Sequence, residues 1–128
     1  MKKLIAAFVV FFLVTIFVVS CSVSAGGGSS GGNDVHMGEI NFAQSSITIS
    51  KGSSINLISD TGVAHIISNG RWVNDTPEPA TEPGAPVVNN LMFSDAGQSQ
   101  TIGPFNTAGT FHLYCSVHTG MNLSVIVK

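Results

Sequence analysis

The 128-residue sequence predicts an all-β fold, built as a sandwich or a barrel. From residue 34 onward, apolar and polar residues alternate over short runs such as 47–49 and 54–58. Turns that contain glycine separate these runs, and no segment repeats its apolar residues at the helical period of 3.6. Short strands joined by tight turns are typical of sandwiches and barrels. A chain of this length supports one such domain.

Residues 1–21 precede that domain, and we interpret them as a signal peptide. Two lysines at positions 2 and 3 lead into an apolar run over residues 4–19, which is the order found in exported proteins. The run ends in Val-Val-Ser-Cys at 18–21, which resembles a bacterial lipobox. We therefore expect a lipidated Cys21 to tie the protein to a membrane, outside the cytoplasm. The alternative is an uncleaved transmembrane anchor, although the run is slightly shorter than the about 20 residues that span a bilayer.

Residues 22–33 are mostly glycine and serine. Such a composition forms a flexible coil, and a segment of this length has a root-mean-square reach of about 20 Å. We expect it to link the membrane anchor to a folded domain at residues 34–128, the third part of the chain.

Seven strands are predicted within that domain, at residues 40–42, 47–49, 54–58, 63–68, 98–102, 111–115 and 123–127. The fourth ends at Asn69-Gly70, a typical turn sequence. In the sixth, alternation points Phe111, Leu113 and Cys115 inward, and His112 and Tyr114 outward to solvent. We also expect His36 at the surface and Met92 in the core.

The segment at 72–90 differs from the rest because it contains four prolines, at 77, 79, 83 and 86. It cannot be an interior strand, and it is too long for an ordinary hairpin loop. We predict an ordered excursion, within which a short helical turn could form. It would shield the functional site, shape a partner surface, or serve neither purpose.

A metal site is predicted near the C-terminus, where Cys115, His118 and Met121 fall within seven residues. Thiolate, imidazole and thioether ligands suit copper, and two His, one Cys and a weak axial Met form blue-copper electron-transfer sites. The second histidine would be His65, on a separate neighbouring strand. Gly120 would allow the tight backbone between the ligands. The alternative is a β-hairpin in which these side chains merely pack.

Cysteine usage supports ligation. If Cys21 carries lipid, Cys115 is the only other cysteine of the chain. An unpaired thiol in an exported protein is open to oxidation unless a metal holds it.

These residues resemble the cupredoxins, the plastocyanin-like blue copper proteins, over about residues 34–128. The Cys-x2-His-x2-Met spacing is most similar to the short ligand loop of amicyanins. The resemblance implies a Greek-key β-sandwich of about seven to eight strands. It also implies one Cu(I)/Cu(II) ion in a type 1 site, held by His65, Cys115, His118 and Met121.

The sequence departs from the family pattern directly after the first ligand histidine. Many members have Asn or Ser there, and that side chain ties the two ligand loops together. This chain has Ile66 instead. The connection must come from elsewhere, and the hydroxyl of Ser116 is a candidate.

The predicted function is that of a membrane-tethered, monomeric, mononuclear copper protein that transfers single electrons between redox proteins of the cell envelope. Four protein ligands leave no open position for a reactant, so we expect no enzymatic activity. One alternative is a copper carrier or scavenger without a redox role. Another is a metal-free interaction sandwich, which leaves the ligand loop unexplained.

Charge and loop position bear on the partners. The sequence has no basic patch of the kind that binds nucleic acid. The seven acidic residues are scattered along the sequence, so we expect only modest long-range electrostatic steering of a partner. His118 lies in mid-loop among uncharged residues, so we expect its ring edge to reach solvent within a small apolar patch where electrons enter and leave. Tyr114, facing outward beside Cys115, offers a second route.

Overall fold

The computed structural model describes residues 32–128. The predicted signal peptide and all but the end of the predicted linker lie outside the described residues. Among residues 32–128, no helix is long and apolar enough to cross a membrane.

The described part of the chain is all-β, as predicted, and forms a sandwich of two sheets. Its nine strands are β1 (Asp34–Met37), β2 (Ser46–Ile49), β3 (Ile55–Ser59), β4 (His65–Val73), β5 (Thr76–Pro79), β6 (Leu91–Phe93), β7 (Ser99–Ile102), β8 (Gly109–Cys115) and β9 (Asn122–Val127). One sheet has the order β1-β3-β7, and the other has the order β2-β9-β8-β4-β5, with β6 also paired to β4. The β1–β3 and β2–β9 pairs are parallel, and the others are antiparallel.

Alternating burial along the strands builds the core between the sheets. In β3, Ile55 and Leu57 are buried while their neighbours are half-buried, and β9 repeats the pattern along its whole length. The predicted inward set of β8, Phe111, Leu113 and Cys115, is buried. One face of each sheet therefore removes its apolar side chains from water, which is the main stabilising term of the fold.

The predicted turn at Asn69-Gly70 is wrong, since β4 continues through both residues to Val73. Gly70 has a φ of +127°, and a Cβ there would collide with the backbone of β5. The chain instead reverses at Asn74 and Asp75, whose φ values of 46° and 65° are both left-handed. Two successive left-handed residues make the hairpin turn that matches strand twist. An asparagine-glycine pair is typical of such turns. Here, however, the glycine lets the backbone of β5 lie close alongside β4.

Two further expectations about single segments are wrong. Residues 40–42 make only an isolated bridge, between Met37 and Phe42, rather than a strand. Met92 is 62 % exposed rather than buried. It lies in β6, an edge strand paired with β4, where Phe93 takes the inward-facing position.

The proline-rich segment begins with an edge strand, because β5 pairs with β4 alone. Proline is tolerated there, as expected for a non-interior position, and the described residues contain no helix. Asn69 secures the return path by accepting a hydrogen bond from the Val88 N–H and donating one to the Pro86 carbonyl. Tyr114 lines the groove between this segment and β4 and is only 4 % exposed. The expectation that Tyr114 faces solvent is therefore wrong.

Two histidines remain outside the core. The ring of His112 is half-buried and donates a 2.6 Å hydrogen bond from Nδ1 to Glu82, which ties the proline-rich segment to β8. His36 lies at the surface, as expected, with Nδ1 at 2.6 Å from an Asp60 carboxylate oxygen.

Candidate metal centre

The structure brings together three of the four predicted ligands as a compact donor cluster. The ligand atoms of His65, Cys115 and His118 all lie within 4.8 Å of one another. The Cys115 sulfur lies 3.8 Å from Nδ1 of His65 and 3.4 Å from Nδ1 of His118. One thiol and two imidazoles at these distances can bind a single metal ion together.

Strand register explains the convergence. Cys115, the last residue of β8, pairs with Ile67 of the antiparallel β4. Residues two apart on a strand point to the same face of the sheet. His65 is two residues before Ile67, so it shares the face of Cys115 and lies just past the end of β8. The loop at 116–121, which carries His118, leaves the end of β8 at this point and turns back toward β9.

The loop itself is closed by backbone hydrogen bonds. The Cys115 N–H donates to the Met121 carbonyl at 3.0 Å, and the Met121 N–H donates to the His118 carbonyl at 3.1 Å. Gly120 has a φ of 77°, a left-handed conformation that suits glycine. The Met121 side chain is only 2 % exposed and packs in the core cluster. The tight loop expected from Gly120 is therefore present.

Burial and one hydrogen bond set the state of His65. The residue is fully buried, and burial lowers the pKa of His65, against the opposing effect of its bond to Gly38 and with a further lowering by His118. Its Nε2 lies 2.9 Å from the Gly38 carbonyl oxygen. A carbonyl only accepts, so Nε2 carries the proton and Nδ1 presents its lone pair to Cys115.

The connection between the two ligand loops runs mainly through the backbone. The Ser116 N–H donates to the Ile66 carbonyl at 2.8 Å, and the Ser116 hydroxyl lies at 3.4 Å from the same oxygen. The main chain of Ile66 thus joins the two segments that carry the predicted ligands, although its side chain is apolar.

Trp72 and Asn122 form a second tie, which sequence reasoning missed. The indole N–H of Trp72 donates to the Cys115 carbonyl at 2.8 Å. The Asn122 side chain accepts from the Trp72 N–H at 2.7 Å and donates to the Trp72 carbonyl at 3.1 Å. These contacts join the far end of β4 to the residues beside Cys115 and Met121. The two residues are 50 positions apart, so no local pattern could indicate the pair.

Three exposed apolar residues lie next to residues of the site in sequence or in strand register. Ile40 is 67 % exposed, Met92 is 62 % exposed and Val117 is 50 % exposed. Each is adjacent to a site residue: Ile40 follows the Gly38-Glu39 segment that holds His65, Met92 pairs with Ile66, and Val117 precedes His118. We call these three residues the apolar end patch.

The donor chemistry fits copper. One thiol and two imidazoles are soft or borderline ligands, which favour copper or zinc over the oxygen-binding Mg²⁺ and Ca²⁺. No carboxylate belongs to the cluster found among the described residues.

Comparisons with known proteins agree with this donor set. The family model described as copper-binding proteins of the plastocyanin/azurin family matches residues 30–128. Among curated proteins, none matches the sequence significantly.

Solved structures show the same fold. Amicyanin from Paracoccus versutus is 20 % identical, with a TM-score of 0.56 over 74 % of this chain and 79 % of that one. A purple cupredoxin from Nitrosopumilus maritimus is 17 % identical, with a TM-score of 0.56 over 74 % of this chain and 98 % of that one.

The Asn122 tie predicts a measurable loss of stability. Asn122→Ala removes two hydrogen bonds and leaves the Trp72 backbone groups unpaired, which should lower the free energy of unfolding by about 1–3 kcal/mol. Chemical denaturation of the metal-free protein measures the loss. Asn106→Ala, at an exposed position, is the matched control and should change stability by about 0.5 kcal/mol or less. Equal stability of the two variants would contradict this role for Asn122.

Proposed function

The chain belongs to the plastocyanin/azurin family of copper-binding proteins, and from this premise we propose that it is a membrane-tethered electron carrier acting between extracytoplasmic redox proteins. One observation carries the proposal: a thiol and two imidazoles converge within 4.8 Å at one end of the sandwich. We assign His65, Cys115 and His118 as the principal ligands of one type 1 copper ion. Met121, buried and next to the loop-closing bonds, is the weak axial ligand.

Copper bound there would supply a centre that alternates between Cu(I) and Cu(II). The protein's part is to hold the ligands still while the charge changes. The Gly38 carbonyl orients His65, the Trp72 indole holds the Cys115 carbonyl, and the Ile66–Ser116 bond joins the two ligand segments. Ligands fixed by surrounding hydrogen bonds reorganise little, which favours rapid electron transfer.

Burial favours an electron carrier over the other candidate functions. Four protein ligands leave no open position at which a substrate could coordinate, unlike a catalytic metal site. A copper carrier or scavenger needs ligands that exchange readily, whereas His65 and Cys115 are both fully buried. Release of the ion would require opening of the β4–β8 end of the core.

We infer that electrons enter and leave through the ring edge of His118. This residue is half-buried and lies beside Val117 of the apolar end patch. Small apolar surfaces suit the brief encounters of redox proteins. The alternative route through Tyr114 is less favoured, because that side chain is buried and its ring packs edge-to-face against Trp72, with the ring centroids 6.2 Å apart.

The anchor is proposed from sequence alone, since Cys21 lies outside the described residues. A cysteine after Val-Val-Ser supports lipid attachment and an extracytoplasmic location. In a bacterial host, Cys21→Ser should block lipid attachment and leave unprocessed precursor or released protein. Mass spectrometry of the mature N-terminus decides, and an unmodified Cys21 behind an intact apolar run would indicate a transmembrane anchor instead.

Copper loading predicts colour. A thiolate bound to Cu(II) in this ligand set should give an intense visible charge-transfer band, and Cys115→Ser should abolish it because a hydroxyl is a hard, weakly acidic ligand. His112→Gln removes an imidazole from the outer face of β8 and should leave the band unchanged. A copper-loaded wild-type protein that stays colourless under oxidising conditions would contradict the type 1 assignment.

The axial assignment predicts a shift in potential without loss of metal. Met121→Gln should retain copper and lower the reduction potential, because a harder oxygen ligand favours Cu(II). Metal analysis and redox titration measure the two properties. Met92→Gln changes a solvent-exposed methionine and serves as the control. If Met121→Gln loses all copper while its circular dichroism stays native, Met121 is structural or the ligand set is different.

A further inference from the structure

A groove lies between two arms of the proline-rich segment. One arm is the chain at 79–81, the other is the chain at 87–90, and residues of both line the groove. Between the arms, the lining comes from β4 and β8, which contribute Ser68, Asn69 and Tyr114. The volume is about 460 Å³, which is within the range of small-molecule sites. We call this cavity the side groove.

Hydrogen bonds to β4 hold both arms in place. The Ala80 N–H donates to the Asn69 carbonyl at 3.3 Å on one side of the side groove. On the other side, the Asn69 N–H donates to the Val88 carbonyl at 2.9 Å, and the Asn90 N–H donates to the Ser68 hydroxyl at 2.9 Å. The Val88 side chain is also buried in the core. The side groove is therefore formed without a ligand, which reduces the ordering cost of binding one.

The Tyr114 hydroxyl is available to a ligand in the side groove. Tyr114 is only 4 % exposed, yet no described residue hydrogen-bonds its hydroxyl, whereas buried tyrosine hydroxyls usually have a partner. Among residues 32–128, no side-chain oxygen is both fully inaccessible and unpaired, so this hydroxyl must reach open space. Tyr114 meets open space in the side groove.

The lining of the side groove is uncharged and polar. No Asp, Glu, Lys, Arg or His among the described residues lines it, so an anion would find no cation there and a metal ion no carboxylate. The side groove instead offers hydroxyls and amides, from Thr81, Asn89, Asn90 and Tyr114. A hydroxyl both donates and accepts, and an amide carries a donor beside an acceptor. This lining suits a neutral ligand that has many hydrogen-bonding groups.

From these features we propose that the side groove binds a neutral sugar, either free or within a polysaccharide chain. Adjacent hydroxyls on a sugar ring donate and accept, which matches the hydroxyls and amides of the lining. The C–H face of the ring matches the apolar side chains at Pro79, Ala80 and Val87, of which Val87 is 80 % exposed. This inference goes beyond electron transfer and does not depend on it.

A peptide fits the side groove less well than a sugar. Extended peptides often bind by adding a strand to an open sheet edge. The edge strand beside the side groove is β5, which contains Pro77 and Pro79. Proline has no N–H to donate to an added strand, so β5 offers an incomplete ladder.

The test uses the full-length, copper-loaded protein in a detergent that has no sugar headgroup. Isothermal titration calorimetry measures binding of three neutral probes: maltotriose, cellotriose and tri-N-acetylchitotriose. Trigalacturonate is the acidic comparison, and decaproline is the peptide comparison. At least one neutral trisaccharide should bind with a dissociation constant below about 1 mM, and more tightly than either comparison.

Matched variants locate the binding. Tyr114→Phe keeps the ring and removes the hydroxyl, so it should weaken binding of the preferred trisaccharide by about three- to tenfold. It should leave the denaturation midpoint unchanged, because the hydroxyl has no partner among the described residues. Asn89→Ala should weaken binding by a similar factor. Asn106→Ala removes an exposed amide outside the side groove and should bind as the wild type does.

Sedimentation with an insoluble polymer distinguishes the two sources of sugar. Starch, cellulose or chitin is chosen to match the preferred trisaccharide. Sedimentation of the wild type, reduced in Tyr114→Phe, supports a polysaccharide as the ligand. Trisaccharide binding without sedimentation supports a free sugar.

Three results would overturn the proposal. The first is a natively folded protein that binds none of the three trisaccharides at about 10 mM. The second is trisaccharide binding that is unchanged in both Tyr114→Phe and Asn89→Ala, because the sugar then binds elsewhere. The third is tighter binding of trigalacturonate or decaproline, which would make the side groove a site for anions or peptides. The charge-transfer band of the copper-loaded protein is measured separately, so the electron-carrier function stands or fails independently of these results.

Discussion

The antiparallel pairing of β4 with β8 is the constraint on which the site depends. It places Ile67 opposite Cys115, so that His65 projects from the same face just past the end of β8. A slip of one residue would send every side chain of a strand to the opposite face. The buried alternation of Phe111, Leu113 and Cys115 excludes that slip, because the core would otherwise exchange apolar side chains for His112 and Tyr114. Core packing and donor geometry are thus set by the same register.

Main-chain groups, rather than polar side chains, make several of the hydrogen bonds that position the site residues. The His65 ring is oriented by the Gly38 carbonyl, and the ligand loops are joined by the Ser116 N–H and the Ile66 carbonyl. Main-chain ties of this kind constrain the sequence weakly, since most residues can supply them. They explain how an isoleucine can follow the first histidine. Side-chain specificity is concentrated instead in Trp72 and Asn122.

The two ends of the sandwich have different characters. The end with the donor cluster exposes Ile40 and Val117, while Lys51 and Lys128 lie together at the opposite end of β9. The proline-rich segment covers the side of the domain, where Asn69 and the Glu82–His112 pair hold it against the sheet. The side of the domain is thus covered, while His118 at its end is only half-buried.

The sequence by itself determined the fold class, the strands that alternate cleanly, and the candidate ligands. These follow from patterns of period two and from the tight spacing of Cys115, His118 and Met121, both of which are local. Only the tertiary structure decided the course of β4 through Gly70, the exposure of Met92, the burial of Tyr114, and the pairing of Trp72 with Asn122. Each depends on which distant segment lies alongside: the backbone of β5 lies close to Gly70, and the Trp72 ring packs against Tyr114. Contacts between residues far apart in the chain leave no periodic trace in the sequence.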